Sequence, residues 1–198
     1  MFQMPNKQIT VIGAGVMGSG VAQHFAQYGF RVTLIDKSNS QLDSAKNRIL
    51  RNIKCLQLIR DRSLNIDYSQ VLSNIEFINN PDRLAQADFI IENITESWLA
   101  KKTLYEKINR LCKKSCIIGV NTSAISITRI GALLCEPERV VGMHFMNPVP
   151  MMPTVEVIRG CHTSENTIDA VKNLLHSANK KFIVVEDSPG FVTNRAMM

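Results

Sequence analysis

Short apolar runs rich in β-branched residues alternate along the chain with longer segments in which apolar residues recur every three or four positions. The short runs predict strands, and the longer segments predict helices. Strands are predicted at Gln8–Ile12, Arg31–Ile35, Ile75–Ile78, Phe89–Ile91, Cys116–Val120, Val140–Phe145, Thr154–Ile158 and Phe182–Val185, and helices at Val16–Tyr28, Ser40–Arg62, Trp98–Cys112 and Glu165–Ser177. This alternation indicates an α/β protein with parallel strand pairs.

The predicted fold is a Rossmann-type, doubly wound and mostly parallel sheet. The basic helix at Ser40–Arg62 is longer than a crossover connection requires, so part of it is expected to project from the sheet. Residues 1–187 are assigned to this domain. Residues 188–198 are expected to be the start of a truncated helical C-terminal domain, because a helix that begins at Gly190 and stops eight residues later cannot bury its apolar face alone.

Composition narrows the class of protein. The chain has 198 residues, of which 45% are hydrophobic, which is ordinary for a globular protein and too rich for a disordered one. No apolar stretch approaches the ~20 residues that span a bilayer, and the opening MFQMPNKQ has no apolar signal core. A cytoplasmic protein without membrane contact is expected.

The cysteines form no CxxC or Cys/His cluster, which favours reduced thiols and no metal site: Cys55, Cys112, Cys116, Cys135 and Cys161.

The chain is basic, with 23 Lys and Arg against 17 Asp and Glu, a formal net charge of +6. This balance suits an anionic small ligand as well as a nucleic acid. Aromatic residues make up only 6% and are dispersed, and no RNA-reading motif is present, so no nucleic-acid partner is expected.

A glycine-rich turn, GAGVMG at Gly13–Gly18, fits the pattern G-x-G-x-x-G. It follows a predicted strand and opens a predicted helix, and the next strand ends in Asp36, 18 residues beyond Gly18. This context is typical of a dinucleotide site, in which an acidic residue about 20 residues on binds the ribose hydroxyls. The carboxylate of Asp36 would repel a 2′-phosphate, so NAD is favoured over NADP. A ligand-free strand–helix turn is the alternative.

Each glycine has a predicted part in that turn. Gly13 permits the tight turn, Gly15 lets the backbone approach a pyrophosphate, and Gly18 lets the helix pack on the strand. The N–H groups and partial positive charge of the helix N-terminus favour the phosphates. The cofactor contacts predicted from the turn are Gly13, Gly15, Val16, Met17 and Gly18.

One histidine and one glutamate stand out as candidate chemistry. His144 ends an apolar strand, where ligands bind in open α/β sheets, and Glu156 interrupts the apolar run TVEVI, where an unpaired carboxylate is costly. Each lies six residues from Pro150 in a proline-rich connection, so a hairpin about Pro150 makes them cross-strand partners. The pair would fix the tautomer of a general base. A structural ion pair between two strands is the alternative. The other histidines are interpreted as ordinary helix or solvent-exposed residues: His24, His162 and His176.

These residues lie within motifs that resemble the NAD-binding domain of the 3-hydroxyacyl-CoA dehydrogenases, including the bacterial 3-hydroxybutyryl-CoA dehydrogenases. The resemblance runs through nearly the whole chain and rests on GAGVMGSGVAQ, LIDKS, IIENITES, NTSAISI, GMHFMNPVPMMPTVEVI and DSPGFVTNR. It implies NAD-dependent oxidation of an L-3-hydroxyacyl thioester to the 3-ketoacyl thioester.

The resemblance also implies a role for each matched residue. His144 matches the catalytic histidine that takes the hydroxyl proton, and Glu156 matches the acid that orients it. Ser123 matches the serine near the substrate oxygen and the nicotinamide, and Asn194 matches the asparagine that helps to hold the substrate oxygens. Three further matches imply contacts with the cofactor: Glu96, Lys101 and Asn147.

The chain departs from the family pattern in places. Asn93 replaces a small residue after Glu92, and Asn52 and Ile59 stand where the family carries a serine and a lysine that bind coenzyme A. No coenzyme A contact is therefore predicted on the long helix. The resemblance implies an acyl-CoA substrate and a homodimer formed through the mostly missing helical domain, and a chain that binds NAD but turns over poorly.

Two other functions stay open. A β-hydroxyacid or sugar-acid dehydrogenase shares G-x-G-x-x-G and the following aspartate, although such enzymes typically use a catalytic lysine. A non-catalytic nucleotide-binding module is the third possibility. Substrate screening with free acids and CoA thioesters separates the first two.

Overall fold

A computed structural model describes residues 7–59 and 67–197. A sheet of eight strands forms the centre of the fold. The strands are β1 (Gln8–Ile12), β2 (Arg31–Ile35), β3 (Ile75–Ile78), β4 (Phe89–Glu92), β5 (Ile117–Val120), β6 (Val140–Phe145), β7 (Thr154–Arg159) and β8 (Lys181–Glu186). The helices are α1 (Val16–Gln27), α2 (Asn39–Ile59), α3 (Tyr68–Ser73), α4 (Trp98–Leu111), α5 (Ile127–Gly131), α6 (Glu165–Ser177) and α7 (Thr193–Met197), with 3₁₀ turns at Pro81–Gln86 and Pro137–Arg139.

One sheet contains all eight strands in the order β3-β2-β1-β4-β5-β6-β7-β8. Every neighbouring pair is parallel except β6 and β7, which are antiparallel. Their antiparallel pairing follows from the short proline-rich connection, since a parallel crossover needs a dozen or more residues. The strand order reverses between β1 and β4, and ligands bind at such a switch point, outside the carboxyl ends of the strands.

Helices cover both faces of the sheet, which explains why most strands are apolar along their whole length. On one face, the core contains residues from α1, α2, α3 and α6, with Phe25 and Ile49 fully buried. On the other face, α4 and α5 contribute Tyr105, Ile108 and Ile130, also fully buried. The predicted doubly wound α/β fold is confirmed.

The element boundaries differ from prediction in ways that have local causes. The short helices α3 and α5 were not expected, because five or six residues show too little periodicity. The final helix begins at Thr193, and the predicted start at Gly190 is wrong, since Gly190 and Phe191 have positive φ angles of 75° and 51°. The apolar face of α2 stays buried as far as Leu56, whereas Leu58 is 86% exposed. The predicted end of this helix, Arg62, lies outside the described residues.

Two features of the described residues bear on the predicted class of protein. None of the helices within 7–59 and 67–197 combines the length and hydropathy that a bilayer span requires. No group of three or more His, Cys, Asp or Glu side chains in these ranges is arranged to hold a metal ion. All five cysteines are free thiols.

Candidate active site

The glycine-rich turn lies at the carboxyl end of β1. Gly13 has a φ of +97°, and a Cβ there would stand 2.6 Å from the carbonyl oxygen of Asn93. A Cβ at Gly18 would stand 1.7 Å from the carbonyl oxygen of Gly13, so α1 packs directly on the turn. Nothing lies within 4 Å of a Cβ built at Gly15, which leaves open space in front of the helix N-terminus. The predicted structural parts of Gly13 and Gly18 are confirmed.

Asp36 follows β2 and its carboxylate turns toward the glycine-rich turn. Oδ2 accepts a hydrogen bond of 2.8 Å from the backbone N–H of Ala14, and Oδ1 accepts one of 3.0 Å from Ser38. Each oxygen can accept a further hydrogen bond, and the side chain is only half-buried. Asp36 can therefore bind a ligand that lies beside the glycine-rich turn. Beside it, Val16 is 55% exposed at the start of α1 and Met17 is partly buried.

Arg48 adds a positive charge behind the turn, and sequence reasoning treated it only as part of a basic helix. Its Nη1 donates to the carbonyl oxygens of Ala14 and Gly15 at 3.3 and 3.2 Å and to the hydroxyl of Ser19 at 3.1 Å. These bonds hold two carbonyl oxygens of the turn. The contact spans 34 positions between Arg48 and Ala14, so no local sequence pattern announces it.

His144 and Glu156 face each other across the β6–β7 pair, in the predicted register. The Nδ1 of His144 lies 2.6 Å from Oε2 of Glu156, and their side chains are 8% and 1% exposed. On the other side of the ring, Nε2 lies 3.2 Å from the hydroxyl oxygen of Ser123. Because a carboxylate only accepts hydrogen bonds, Nδ1 donates to Glu156, and in the neutral imidazole Nε2 is left to accept. The predicted pairing is confirmed.

Glu156 is also held by the backbone near the start of α7. Its Oε1 accepts hydrogen bonds of 3.1 and 2.8 Å from the N–H groups of Val192 and Thr193. Burial alone would raise the pKa of Glu156, but hydrogen bonds from His144 and Thr193 outweigh it and lower this pKa overall. The carboxylate is therefore ionised at neutral pH and stabilises a charged imidazole. Sequence reasoning missed these two donors because backbone N–H groups carry no residue signature.

The same segment places Asn194 and Phe191 beside the pair. The side-chain amide of Asn194 donates to the carbonyl oxygen of Ser123 at 2.9 Å. Phe191 is 2% exposed, and its ring centroid lies 5.9 Å from that of His144. Ser123, His144, Glu156 and Asn194, which were singled out from three separate motifs, therefore meet at one place.

Glu96 binds the loop that carries Ser123. Its Oε1 accepts from the hydroxyl of Thr122 and from the backbone N–H groups of Ser123 and Ala124, the latter two at 2.9 and 3.2 Å. The Glu96 side chain is 40% exposed, and its Oε2 lies 3.8 Å from Nζ of Lys101. Glu96 is therefore partly exposed to solvent and at the same time holds the backbone of the loop that carries Ser123.

Lys101 and Glu92 form an ion pair in which both side chains are 0% exposed. The ammonium lies 2.8 and 2.7 Å from the two carboxylate oxygens of Glu92. Burial raises the pKa of Glu92 more than Lys101 lowers it. The structure places Lys101 behind Glu96 rather than on the surface of the cleft. Sequence reasoning did not select Glu92, although a single acid at the end of the apolar strand FIIE was a usable signal.

Two carboxamides join the ends of three strands. Nδ2 of Asn121 donates to Oδ1 of Asn93 at 2.7 Å, and Oδ1 of Asn121 accepts from the N–H of Phe145 at 3.2 Å. This bridge connects β4 and β5 to the residue after His144. Asn147 is exposed in the connection that follows β6.

The remaining histidines lie elsewhere. His24 is 3% exposed, and its Nε2 donates to the carbonyl oxygen of Ala178 at 2.9 Å. Burial and the nearby charge of Lys180 lower the pKa of His24 to about 3, so it is neutral and serves the core. His162 and His176 are exposed. These three positions agree with their interpretation from the sequence.

The model of the family "3-hydroxyacyl-CoA dehydrogenase, NAD binding domain" matches residues 8–188. The chain belongs to this family. A probable 3-hydroxybutyryl-CoA dehydrogenase of Bacillus subtilis is 39% identical over 98% of this chain and 68% of its own length. A 3-hydroxybutyryl-CoA dehydrogenase of Clostridioides difficile is 38% identical over 96% of this chain and 68% of its own.

Solved structures agree with that assignment. The crystal structure of (S)-3-hydroxybutyryl-CoA dehydrogenase from Ralstonia eutropha is similar with a TM-score of 0.90 and 35% identity, over 96% of this chain and 67% of that one. The chain spans about two thirds of the length of these relatives. It is an NAD-binding domain of an NAD-dependent oxidoreductase family, and the two other functions considered above are not favoured.

Proposed function

We propose that this chain carries the cofactor site and the acid–base residues for NAD-dependent oxidation of L-3-hydroxyacyl-CoA, such as 3-hydroxybutyryl-CoA, to 3-ketoacyl-CoA. The observation that carries the proposal is the continuous contact from Ser123 through His144 to Glu156, with distances of 3.2 and 2.6 Å. The names of the relatives in Bacillus subtilis and Clostridioides difficile support the substrate class.

The residues around the glycine-rich turn fit NAD. The open space at Gly15 admits a pyrophosphate, and the free N–H groups at the start of α1 complement its charge. The carboxylate of Asp36 accepts hydrogen bonds from the adenosine ribose and disfavours a 2′-phosphate. Val16 and Met17 border the same site, and Glu96, Lys101 and Asn147 belong to the nicotinamide half, Lys101 by holding Glu96. NAD supplies the hydride acceptor when it is bound.

The proton that leaves the substrate hydroxyl is accepted by His144. A substrate hydroxyl that replaces the Ser123 hydroxyl at Nε2 of His144 gives its proton to that nitrogen, which is the unprotonated one in a neutral imidazole whose Nδ1 donates to Glu156. The imidazolium that forms is stabilised by the Glu156 carboxylate. Ser123 and Asn194 hold the substrate oxygen by neutral hydrogen bonds, and such groups polarise a carbonyl in the reverse direction without competing for the proton.

The domain assignment and the partners are part of the proposal. Residues 1–187 form the NAD-binding domain, and residues 188–198 begin the helical domain through which the full-length protein forms a homodimer. The substrate is an acyl-CoA and no nucleic acid takes part. The cytoplasm is the proposed location.

Titration of the chain with NADH and with acetoacetyl-CoA, followed by an assay of NADH oxidation, tests the function. We expect NADH to bind and acetoacetyl-CoA to be reduced, with free acetoacetate a much poorer substrate. Binding of NADH alone would assign the thioester contacts to residues outside this chain. Preference for free hydroxy acids would contradict the proposal.

Replacing Asp36 by alanine is expected to weaken NAD binding about 10- to 100-fold, since a hydrogen bond to a charged group contributes about 1.5–3 kcal/mol. NADP binding is expected to change less, because the repulsive carboxylate is gone, so the NAD:NADP preference falls. Dissociation constants from fluorescence titration of both reduced cofactors measure this. Asp43→Ala, at an exposed position on α2, is the control, and an unchanged preference in Asp36→Ala would remove Asp36 from the ribose site.

A further inference from the structure

The segment from Asp187 to Asn194, here called the closing segment, makes three sets of hydrogen bonds in and beside the candidate site. Asp187 binds the start of α5, Val192 and Thr193 donate to Glu156, and Asn194 donates to Ser123. The last two contacts belong to the site already described. The contact of Asp187 has no part in the proposed chemistry.

Both carboxylate oxygens of Asp187 accept hydrogen bonds from residues about 60 positions earlier in the chain. Oδ2 accepts from the hydroxyl of Ser126 at 2.7 Å and from the N–H of Thr128 at 2.8 Å, and Oδ1 accepts from the N–H of Ile127 at 3.2 Å. Burial alone would raise the pKa of Asp187, but the hydrogen bonds from Thr128, Ser126 and Ile127 lower it, so the group is ionised at neutral pH.

Through these contacts, the carboxylate of Asp187 connects the loop that carries Ser123 to the closing segment. Ser126 lies three residues after Ser123, so the carboxylate fixes the end of the loop that presents the Ser123 hydroxyl to His144. Asp187 is also the first residue of the closing segment, in which the N–H of Thr193 donates to Glu156. Glu96 fixes the same loop from its other side, through the N–H groups of Ser123 and Ala124.

We propose that Asp187 is a positioning residue for the dehydrogenase reaction: it joins the Ser123 loop to the closing segment and so sets the spacing of Ser123, His144 and Glu156. The inference rests on the proposed function for its effect on turnover. The link itself is a property of the fold. A carboxylate is needed because an amide has only one acceptor atom, and its NH₂ would face a donor at Ile127 or Thr128.

The test compares Asp187→Asn with Ser164→Ala in the full chain. Ser164 caps α6 by accepting from the N–H of Thr167 at 3.2 Å, outside the cluster of site residues, so its loss imitates a purely structural cap defect. Amide hydrogen exchange is measured at Val192 and Thr193. We expect about tenfold or greater loss of protection at both amides in Asp187→Asn and unchanged protection in Ser164→Ala, since only the first variant frees the closing segment.

Turnover supplies the second measurement. Asp187→Asn is expected to lower kcat on the order of 10- to 100-fold, the effect of displacing reacting groups by about 1 Å, with NADH affinity within twofold. The acid limb of kcat/KM is expected to move to higher pH, because loss of the Thr193 N–H removes a contact that lowers the pKa of Glu156. Ser164→Ala is expected to leave both unchanged at a temperature where it is folded.

The outcomes separate the inference from the function. Intact protection at Val192 and Thr193 in Asp187→Asn, or kcat within twofold of the original in an active enzyme, overturns the inference. If the chain prefers free hydroxy acids, the proposed function fails, and if it binds NADH without turnover, the thioester contacts lie outside this chain; in both cases the exchange result alone decides whether Asp187 holds the closing segment. If Asp187→Asn does not fold, Ser126→Ala takes its place: it removes one donor and is expected to give a smaller loss of protection at the same two amides, and unchanged protection there counts against the inference.

Discussion

Replacing His144 by glutamine is expected to lower kcat by about 10²- to 10⁴-fold, the usual contribution of a general base. Glutamine can occupy the space between Ser123 and Glu156, but its amide cannot take a proton from a substrate hydroxyl at neutral pH. NADH affinity is expected to stay within a few-fold, since His144 lies next to the last residue of β6 whereas the glycine-rich turn follows β1, three strands away in the sheet. Stopped-flow measurement of acetoacetyl-CoA reduction and fluorescence titration with NADH check the two halves of this expectation.

The control for this variant is His176→Gln, at an exposed position of α6. It removes an imidazole of the same size from the surface and is expected to change neither kcat nor NADH affinity. Turnover of His144→Gln within a few-fold of the original would exclude His144 as the base. The Ser123–His144–Glu156 contact would then be the structural ion pair that the sequence also allowed.

Replacing Glu156 by glutamine is expected to lower kcat on the order of 10⁴-fold. A loss of this size is found where an amide replaces the carboxylate that orients a catalytic histidine. The backbone donors at Val192 and Thr193 select the amide oxygen, so the NH₂ of glutamine turns toward His144. Nδ1 must then accept, and the ring proton moves to Nε2, the nitrogen that should receive the substrate proton. The variant therefore holds the imidazole in the wrong tautomer without displacing it.

Nitrogen-15 NMR of the histidine ring measures this directly. In the neutral imidazole, the ring proton is expected on Nδ1 in the original protein and on Nε2 in Glu156→Gln. Glu165→Gln, which alters an exposed partner of Arg159, is the matched control and should leave both tautomer and kcat unchanged. A normal kcat together with the inverted tautomer would separate Glu156 from catalysis.

Glu156 also makes stability depend on pH. Its pKa is lowered in the folded chain, so its hydrogen bonds stabilise the fold above the ordinary pKa of a glutamate and are lost as pH falls through the lowered value. Glu156→Gln removes this acid-side dependence.

The β6–β7 hairpin could be predicted because the residues that determine it lie close together in the sequence. A proline-rich connection, two apolar strands and the equal distance of His144 and Glu156 from Pro150 define one register, and a shift of one residue would have placed the two side chains on opposite faces. The glycine-rich turn was predictable for a similar reason. Gly13 and Gly18 occupy positions where a side chain would meet backbone, which limits the residue type.

The contacts that sequence reasoning missed are long-range or lack side chains. Arg48 reaches the turn from another helix, and Asp187 reaches α5 across about 60 positions, so neither has a periodic signature. The donors to Glu156 are backbone N–H groups of Val192 and Thr193, which any non-proline residue supplies. The matched role of Lys101 suggested contact with the cofactor, whereas its burial against Glu92 depends on how α4 packs on the sheet.

The reversal of chain direction between β6 and β7 has a consequence for how the chain folds. The imidazole and its carboxylate are only 12 positions apart, whereas most neighbouring strands of the sheet are joined through a helix. Bringing them together closes a short loop, and the entropy lost in closure grows with loop length. The proton-transfer pair is therefore assembled within a single supersecondary unit, and the residues that receive the nucleotide reach it only when the wider sheet has formed.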